Sequence, residues 1–143
     1  DGAAKMALVG LMQTLALEGA RYDIRVNCLA PTAATQMLDG LLPPEELTLL
    51  DPAFVSPAIL ALLRDDAPNR TILCAGAGSF AAAHITLTRG AHIGRDEDCP
   101  EALIMQWGQI SNRDGETVPA SGAAQGAQEL ALAGYTRGAN DSR

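Results

Sequence analysis

The sequence predicts an α/β fold, and three features of its hydrophobic pattern carry that prediction. Residues 3–18 contain good or tolerated helix formers apart from Gly10, with apolar side chains at helical spacing. After a short turn, residues 24–30 have the apolar composition of a buried strand. A second apolar strand, residues 71–75, follows two further helical segments. Helices that alternate with buried strands are typical of α/β domains.

Length and composition limit what this fold can be. The chain has 143 residues, 48% of them hydrophobic and only 3% aromatic, so its core has to consist of Ala, Leu, Ile and Val in one compact domain. The net charge is −7 and the basic residues do not cluster, which argues against nucleic acid and anionic membranes as partners. No apolar run reaches the roughly 18 residues of a membrane-spanning helix, and no signal-like segment is present, so we expect a cytoplasmic protein.

The cysteines and histidines do not form a pattern for metal binding. Cys28, Cys74 and Cys99 are an odd number without CxxC spacing, which favours isolated thiols over a disulfide framework or a zinc site. His84 and His92 are eight positions apart, with no carboxylate or Cys at ligand spacing. We therefore predict no metal site.

The first helix and strand have recognisable ends. Gly19 is predicted to end the helix, and Pro31 is predicted to bound the strand because proline cannot continue a ladder. The chain opens at Asp1 inside the helical pattern, which indicates a piece of a longer protein. The helix is predicted to be amphipathic and about four turns long, with an apolar stripe of Ala4, Leu8, Leu11, Met12 and Leu15.

Two more helices are predicted in the middle of the chain. Residues 32–40 are small and polar, and residues 41–50 form a helix whose start is marked by prolines and two glutamates. Residues 56–63 form the next helix, with Ser56 as the N-cap and Pro57 at the first helical position. The near-continuous apolarity of this helix predicts burial on most sides.

The remaining segments are predicted as an extension. Gly76 and Gly78 mark the end of the strand at residues 71–75 rather than a phosphate loop, because no GxGxxG motif follows any predicted strand. The other predicted segments are a half-exposed strand at 80–88, helices at 99–110 and 121–133, and a frayed end at 134–143.

Several motifs together resemble a known family. Lys5 lies at the start of the first helix, and residues 25–31 read Arg-Val-Asn-Cys-Leu-Ala-Pro one helix later. With this spacing the chain resembles the second half of the short-chain dehydrogenase/reductases, in which a Tyr stands four residues before the Lys. Residues 30–37, 71–80 and 100–110 are similar to the dehydrogenase domain of peroxisomal type 2 multifunctional enzymes and their bacterial relatives.

The resemblance implies a fold and an activity. It implies the second half of a Rossmann-like doubly wound parallel sheet over residues 1–90, with a C-terminal β/α extension whose helical part is residues 91–143. The implied reaction is the NAD-dependent oxidation of a (3R)-hydroxyacyl-CoA. The family's Gly-rich phosphate loop and its catalytic Ser have no counterpart in these 143 residues, so we expect the isolated chain to be inactive.

Two residues match the family's catalytic pair by position. Lys5 matches the Lys that lowers the pKa of the Tyr and holds the nicotinamide ribose, and Asp1 occupies the Tyr position. Residues four apart share a helix face, so we expect Lys5 to lie beside Asp1 and keep it ionised. Such a carboxylate is a very poor acid toward an alkoxide at neutral pH.

Other positions match the cofactor loop and the substrate cover. Pro31, Thr32 and Thr35 match the loop that binds the nicotinamide carboxamide, although the family often has Gly after this Pro and Thr five positions on. A simple strand-to-helix loop is the alternative. Asn27 is predicted to bond neighbouring backbone groups. The acyl-pocket candidates, for which a role in the core is the alternative, are Met37, Leu38, Leu41 and Leu42.

Two other functions are alternatives to the enzyme. In this family the first helix packs against its equivalent in a partner, so a homo-oligomer through residues 3–18 is implied. The chain is then a non-catalytic oligomerising remnant or pseudoenzyme that pairs with itself or with a full-length relative. A hydrolase using Ser79 and His84 is disfavoured, because no GxSxG elbow is present.

Overall fold

The computed structural model describes residues 1–35 and 40–135, and it confirms the predicted α/β class. The chain divides into two compact units, Asp1–His84 and Ile85–Arg143, while the boundary predicted after residue 90 stays a prediction. Short 3₁₀ turns occupy Ala20–Tyr22 and Pro52–Phe54. The described helices are α1 (Gly2–Gly19), α2 (Pro44–Leu49), α3 (Ser56–Leu62), α4 (Cys99–Met105), α5 (Trp107–Ile110) and α6 (Ala123–Leu132), and the strands are β1 (Cys28–Pro31), β2 (Ile72–Gly76) and β3 (Ser79–Ala83).

The first unit contains a mixed three-stranded sheet of order β1-β2-β3. β1 runs parallel to β2, and β3 is antiparallel to β2. Pro31 is the last residue of β1 and lies opposite Ala75, so the prediction that it lies outside the strand is wrong. The N–H groups of Cys28 and Thr32 point to β2, and the intervening Pro31 nitrogen therefore points to the other edge, where no donor is needed.

β1 starts four residues later than predicted. The N–H of Val26 donates to Asn69 Oδ1 at 2.8 Å, and the N–H of Arg70 donates to the Val26 carbonyl at 3.0 Å. Over residues 24–27, these hydrogen bonds to the turn at Asn69 and Arg70 take the place of strand-to-strand ladder bonds. The prediction of a fully buried strand is also wrong, since the residues of β1 are half-buried or exposed.

α1 ends at Gly19 as predicted, but the leucines of its predicted apolar stripe are not the residues that it buries. Its buried residues are Met12, Ala16 and Gly19, whereas Leu8 and Leu11 are 57% and 54% exposed. The predicted stripe is therefore confirmed for Met12 and wrong for its leucines. At position 19 the packed side is tight, because a Cβ on Gly19 would lie 3.0 Å from the Cβ of Ile24. None of the described helices is long and apolar enough to cross a membrane.

The second and third helices are shorter than predicted, and the third is also more exposed than predicted. α2 has Glu45 and Glu46 in its first turn, which suits the helix dipole. Val55, and not Ser56, takes the cap position of α3, without a side-chain cap bond. Of the residues of α3, Ala58 is buried, so burial on most sides was a wrong prediction. The core consists of Val55, Ala58 and Ala75, with Leu29, Ala33 and Leu73 packed against it.

A two-residue turn joins β2 to β3. Gly76 is the last residue of β2, and both turn residues have positive φ, +50° at Ala77 and +70° at Gly78. Positive φ at both positions is typical of a type I′ hairpin. The prediction that the two glycines mark the strand end is confirmed. β3 stops at Ala83, so the predicted strand at 80–88 is wrong beyond that residue.

The second unit is held together by hydrogen bonds around residues 86–89. Thr88 Oγ1 donates to the Ile110 carbonyl at 2.7 Å, and Gln128 Nε2 donates to the Thr88 carbonyl at 2.8 Å. Leu87 forms an isolated antiparallel bridge with Thr117. The single helix predicted at 99–110 is instead two, α4 and α5, because the backbone leaves the helical region at Gln106.

A charged cluster in the second unit gives a pH-dependent contribution to stability. Arg113 Nη2 lies 2.8 Å from Glu116 Oε1, and Thr86 Oγ1 donates to Glu116 Oε2 at 3.0 Å. The hydrogen bond from Arg113 holds the pKa of the Glu116 carboxyl below its ordinary value. A carboxyl group whose pKa is lowered by folding stabilises the fold above its unfolded pKa, and the stabilisation is lost as the pH falls through the folded pKa.

We expect Glu116→Gln to remove this part of the acid sensitivity. Thermal unfolding followed between pH 7 and pH 3 should show a smaller fall in Tm for Glu116→Gln than for the unchanged chain, in low salt because an exposed pair is screened. Glu97→Gln, at an exposed glutamate with no ion pair in the described part, is the control. Equal pH profiles for all three chains would contradict the assignment.

Candidate functional site

The carboxyl ends of the parallel strands β1 and β2 meet at one edge of the sheet, which is where ligands bind in open α/β sheets. Thr32 follows β1, and its N–H donates to the Ala75 carbonyl at 2.8 Å. Gly76 lies beside it, and a Cβ on Gly76 would be 2.8 Å from the Thr32 carbonyl oxygen and 2.9 Å from the Thr32 Cβ. This close approach requires glycine at position 76.

An open cavity of about 390 Å³ lies at the same edge. Its volume falls within the range of about 300–1,000 Å³ that is usual for small-molecule sites. The N–H of Ala34 donates to the Leu50 carbonyl at 2.7 Å, which holds the loop after β1 against the end of α2. The lining is uncharged and consists of Thr32, Leu50, Cys74, Ala75, Gly76, Ala77, Ser79, Phe80 and Ala81.

The predicted cofactor loop lies partly at this cavity. Thr32 lines it, Pro31 ends β1 immediately before it, and Thr35 is exposed further along the loop. The N–H of Thr32 is already bonded to Ala75, whereas the N–H of Ala33 has no acceptor among the described residues. Ala33 therefore offers a backbone donor that the sequence did not single out.

Of the four predicted substrate residues, the two that the structure describes do not line the cavity. Met37 and Leu38 lie outside the described residues. Leu41 is 72% exposed, Leu42 is half-buried, and neither is among the residues that line the cavity. The sequence missed Leu50, Ser79 and Phe80, because apolar and hydroxyl side chains carry no signal of their own until the hairpin and the end of α2 are brought together.

Lys5 and Asp1 lie at the start of α1. The N–H of Lys5 donates to the Asp1 carbonyl at 3.1 Å, which places the two residues one helical turn apart. The described part of the chain shows no ion pair between their side chains, and Lys5 is exposed. Neither residue lines the cavity beside Thr32.

Asn27 cross-links the segments that lead into β1 and β2. Its Nδ2 donates to the Pro68 carbonyl at 2.7 Å, and its Oδ1 accepts from the Thr71 N–H at 3.0 Å. The prediction that this side chain bonds neighbouring backbone groups is confirmed. By holding the starts of the two strands together, Asn27 also sets the register that brings Thr32 to Gly76.

The described geometry does not support a hydrolase active site at Ser79 and His84. Ser79 begins β3 and His84 follows its end, so at about 3.3 Å per residue their backbones are more than about 13 Å apart, too far for a nucleophile and its base. The three cysteines are free thiols, as predicted. No group of three or more His, Cys, Asp or Glu is placed to hold a metal among residues 1–35 and 40–135.

Comparisons with known proteins agree with the predicted resemblance. A short-chain type dehydrogenase/reductase of Mycobacterium tuberculosis is 38% identical over 118 residues, which are 82% of this chain and 41% of the relative. The peroxisomal hydratase-dehydrogenase-epimerase of Saccharomyces cerevisiae is 37% identical over 77% of this chain and 13% of that enzyme. No family model matches the chain.

A solved structure has the same fold. The full-length peroxisomal multifunctional enzyme type 2 of Drosophila melanogaster superposes with a TM-score of 0.72 and 26% identity, over 92% of this chain and 25% of that protein. The chain thus spans less than half the length of each of these relatives.

Proposed function

Since this chain is a homologue of the short-chain dehydrogenase/reductases, we propose that it forms the second half of a Rossmann-like doubly wound dehydrogenase domain. In this proposal the domain oxidises a 3-hydroxyacyl-CoA-like alcohol with NAD. The observation that carries the proposal is the contact of Thr32 with Gly76 beside a cavity at the carboxyl edge of two parallel strands. Ligand sites of open α/β sheets occupy this position.

The residues at this edge fit the nicotinamide end of NAD. The Thr32 hydroxyl and the N–H of Ala33, which has no acceptor among the described residues, supply two polar groups for a carboxamide, and Pro31 fixes the backbone before them. NAD, when bound, accepts a hydride from the alcohol carbon. The 143 residues contain no GxGxxG motif for the pyrophosphate, so the rest of the dinucleotide needs a binding surface that these residues do not form.

In this proposal Lys5 keeps the role of the family's Lys, whereas Asp1 does not replace the Tyr. Lys5 supplies a cation at the first turn of α1, as the family's Lys does, for the ribose and for lowering the pKa of an acid beside it. Asp1 is a carboxylate at the position of the proton-transferring Tyr, and its reference pKa near 4 leaves it unable to exchange a proton usefully with an alcohol oxygen at neutral pH. The proposed activity of the isolated chain is therefore very low.

Nicotinamide mononucleotide tests the proposed cofactor edge directly, because it carries the nicotinamide end without the second nucleotide. We expect it to shift the backbone amide signals of Thr32, Ala33 and Gly76 in a ¹⁵N-resolved NMR titration of the full chain. Adenosine monophosphate, which carries the other end of NAD, should leave these signals unchanged. Equal shifts with both nucleotides, or none with the first, would contradict the proposal.

A second proposed function is self-association through residues 3–18. It is favoured by the apolar surface of α1, where Met6 is 59% and Leu8 57% exposed. This surface also fits the alternative of a non-catalytic remnant that pairs with itself or with a full-length relative. Sedimentation equilibrium of the full chain should give more than the 14.9 kDa of one copy, and a monomer at all concentrations would contradict it.

The cellular location stays a prediction. The cytoplasmic location expected from the sequence is not tested by the fold, and the Saccharomyces cerevisiae and Dictyostelium discoideum relatives are named as peroxisomal enzymes. The proposed reaction needs only NAD and an acyl-CoA substrate, and it is compatible with either compartment.

A further inference from the structure

The outer edge of β3 is exposed and carries none of the features that usually protect such an edge. β3 is the last strand in the sheet order β1-β2-β3, and all five of its residues are exposed. Its sequence, Ser-Phe-Ala-Ala-Ala, contains no charged residue and no proline, and its pairing with β2 is consecutive, without a bulge. Natural proteins usually block an open edge with charges, prolines or bulges, because it otherwise pairs with another strand. The edge of β3 therefore fits a partner strand.

The backbone of β3 presents hydrogen-bonding groups to this edge. The two-residue turn closes on Gly76 and Ser79, which exchange both backbone bonds in a hairpin of this type. Bonding to β2 then alternates along the strand, so the N–H and C=O groups of Phe80 and Ala82 point away from β2. No other described segment of the first unit bonds these groups. They are available to an antiparallel strand.

We infer that this edge pairs with the same edge of a second copy, so that two β3 strands run antiparallel and join two three-stranded sheets into one. Identical edges pair in a closed form about a two-fold axis. The register that keeps all five residues of β3 paired places this axis at Ala81, with Phe80 opposite the partner's Ala82. This surface is separate from α1, and the inference does not depend on the proposed cofactor edge.

The side chains of β3 fit this register on both faces of the sheet. Phe80 pairs with the buried Ala75 and shares its face, where Phe80 is 49% exposed. Ala82 lies on the same face, because side chains alternate along a strand. In the proposed pairing the large ring of Phe80 lies against a small side chain, and burial of its apolar surface adds to the backbone bonds. On the opposite face β3 carries the small side chains of Ser79, Ala81 and Ala83.

The distribution of charge favours a second copy as the partner. The chain has a net charge of −7, so two copies repel each other on approach. All 17 acidic residues lie outside residues 67–95, and β3 lies within that segment. Pairing at β3 therefore brings together two acid-free segments. Because five paired residues are a small contact, we expect weak association, with a Kd of about 0.1 mM.

Disulfide trapping tests the pairing and its register. Ser79 would lie opposite the partner's Ala83 as a non-hydrogen-bonded pair, with Cα atoms about 4.5 Å apart, within the range of a disulfide. An equal mixture of Ser79→Cys and Ala83→Cys chains, oxidised with copper phenanthroline above the expected Kd, should give a disulfide-linked dimer. Each variant alone should not, because its two new thiols are four residues, about 13 Å, apart.

The unchanged chain controls for reaction of the three native thiols. Peptide mass spectrometry should assign the link in the mixture to positions 79 and 83. No such link in the mixture, or equal linking of either variant alone, would overturn the inference.

A second experiment separates this edge from association through α1. Met6→Glu places a charge on the exposed surface of α1, and this variant should still associate with a concentration-dependent mass above 14.9 kDa in sedimentation equilibrium. Adding Ala82→Pro removes the outward N–H without removing a bond to β2, and should weaken the association at least about tenfold. Ala82→Lys, which places a charge at the edge, serves if circular dichroism shows that the proline variant does not fold.

The outcomes distinguish the two surfaces. A Met6→Glu chain that stays monomeric above the expected Kd would overturn the pairing of β3 and leave the α1 proposal standing. Association that is unchanged by Met6→Glu and lost with Ala82→Pro supports the pairing of β3 and contradicts the α1 proposal.

Discussion

Replacing Gly76 with alanine is expected to destabilise the first unit by about 1–3 kcal/mol, the usual cost of forcing extra atoms into a packed site. The new Cβ would lie 2.8 Å from the carbonyl oxygen of Thr32, and a backbone atom cannot move aside as a flexible side chain can. Urea unfolding followed by far-UV circular dichroism measures the free energy. Displacement of Thr32 should also abolish the response of its amide signal to nicotinamide mononucleotide.

Gly10→Ala is the matched control for this substitution. Gly10 lies inside α1, has no heavy atom within 4 Å of an added Cβ, and does not have a positive φ. Glycine inside a helix costs about 1 kcal/mol relative to alanine, so this variant should be more stable than the unchanged chain. A loss of stability in Gly10→Ala, or none in Gly76→Ala, would show that the close approach at Thr32 is wrong.

Asn27→Ala is expected to cost about 1–3 kcal/mol, because it leaves the Pro68 carbonyl and the Thr71 N–H without their side-chain partner. Both groups lie in the segment that leads into β2, and Asn27 leads into β1, so the register of β1 against β2 should loosen. Hydrogen exchange of the Cys28 amide, which donates to the Thr71 carbonyl at 2.9 Å, should become faster.

Two further variants test the role of Asn27. Asn27→Asp keeps the acceptor for the Thr71 N–H but removes the donor to the Pro68 carbonyl. Its free energy of unfolding should lie between those of the alanine variant and the unchanged chain. Asn112→Ala removes one exposed side-chain bond, to the Asp114 N–H at 2.9 Å, and should cost less than Asn27→Ala. Equal costs for Asn27→Ala and Asn112→Ala would contradict the cross-linking role.

Local features of the sequence predicted local features of the fold. The end of α1 at Gly19 follows from the absence of a Cβ beside Ile24, and the turn after β2 follows from the positive φ that Gly78 can adopt. The start of α2 near Pro44 follows from the preference of proline and acidic residues for a first helical turn. Each depends on interactions within a few positions, so one sequence was enough.

Packing between distant segments could not be predicted in this way. Burial of Ala16 instead of the predicted leucines depends on which segments reach α1, such as Asn69, whose Nδ2 donates to the Ala16 carbonyl at 3.5 Å. The late start of β1 depends on bonds from Val26 to Asn69 and Arg70, more than 40 positions away. Hydrophobic periodicity contains no information about such partners.

The sequence by itself determined the α/β class, the glycine boundaries, the start of α2 at Pro44, the backbone-bonding role of Asn27 and the likeness to short-chain dehydrogenase/reductases. The tertiary structure alone decided that Thr32 and Gly76 touch and that Leu50, Ser79 and Phe80 share a cavity with them. The physical reason is the distance along the sequence over which each kind of interaction acts. Helix ends and turns arise from backbone sterics and hydrogen bonds between near neighbours, whereas a cavity arises where parallel strands bring segments about 45 positions apart to one edge of a sheet.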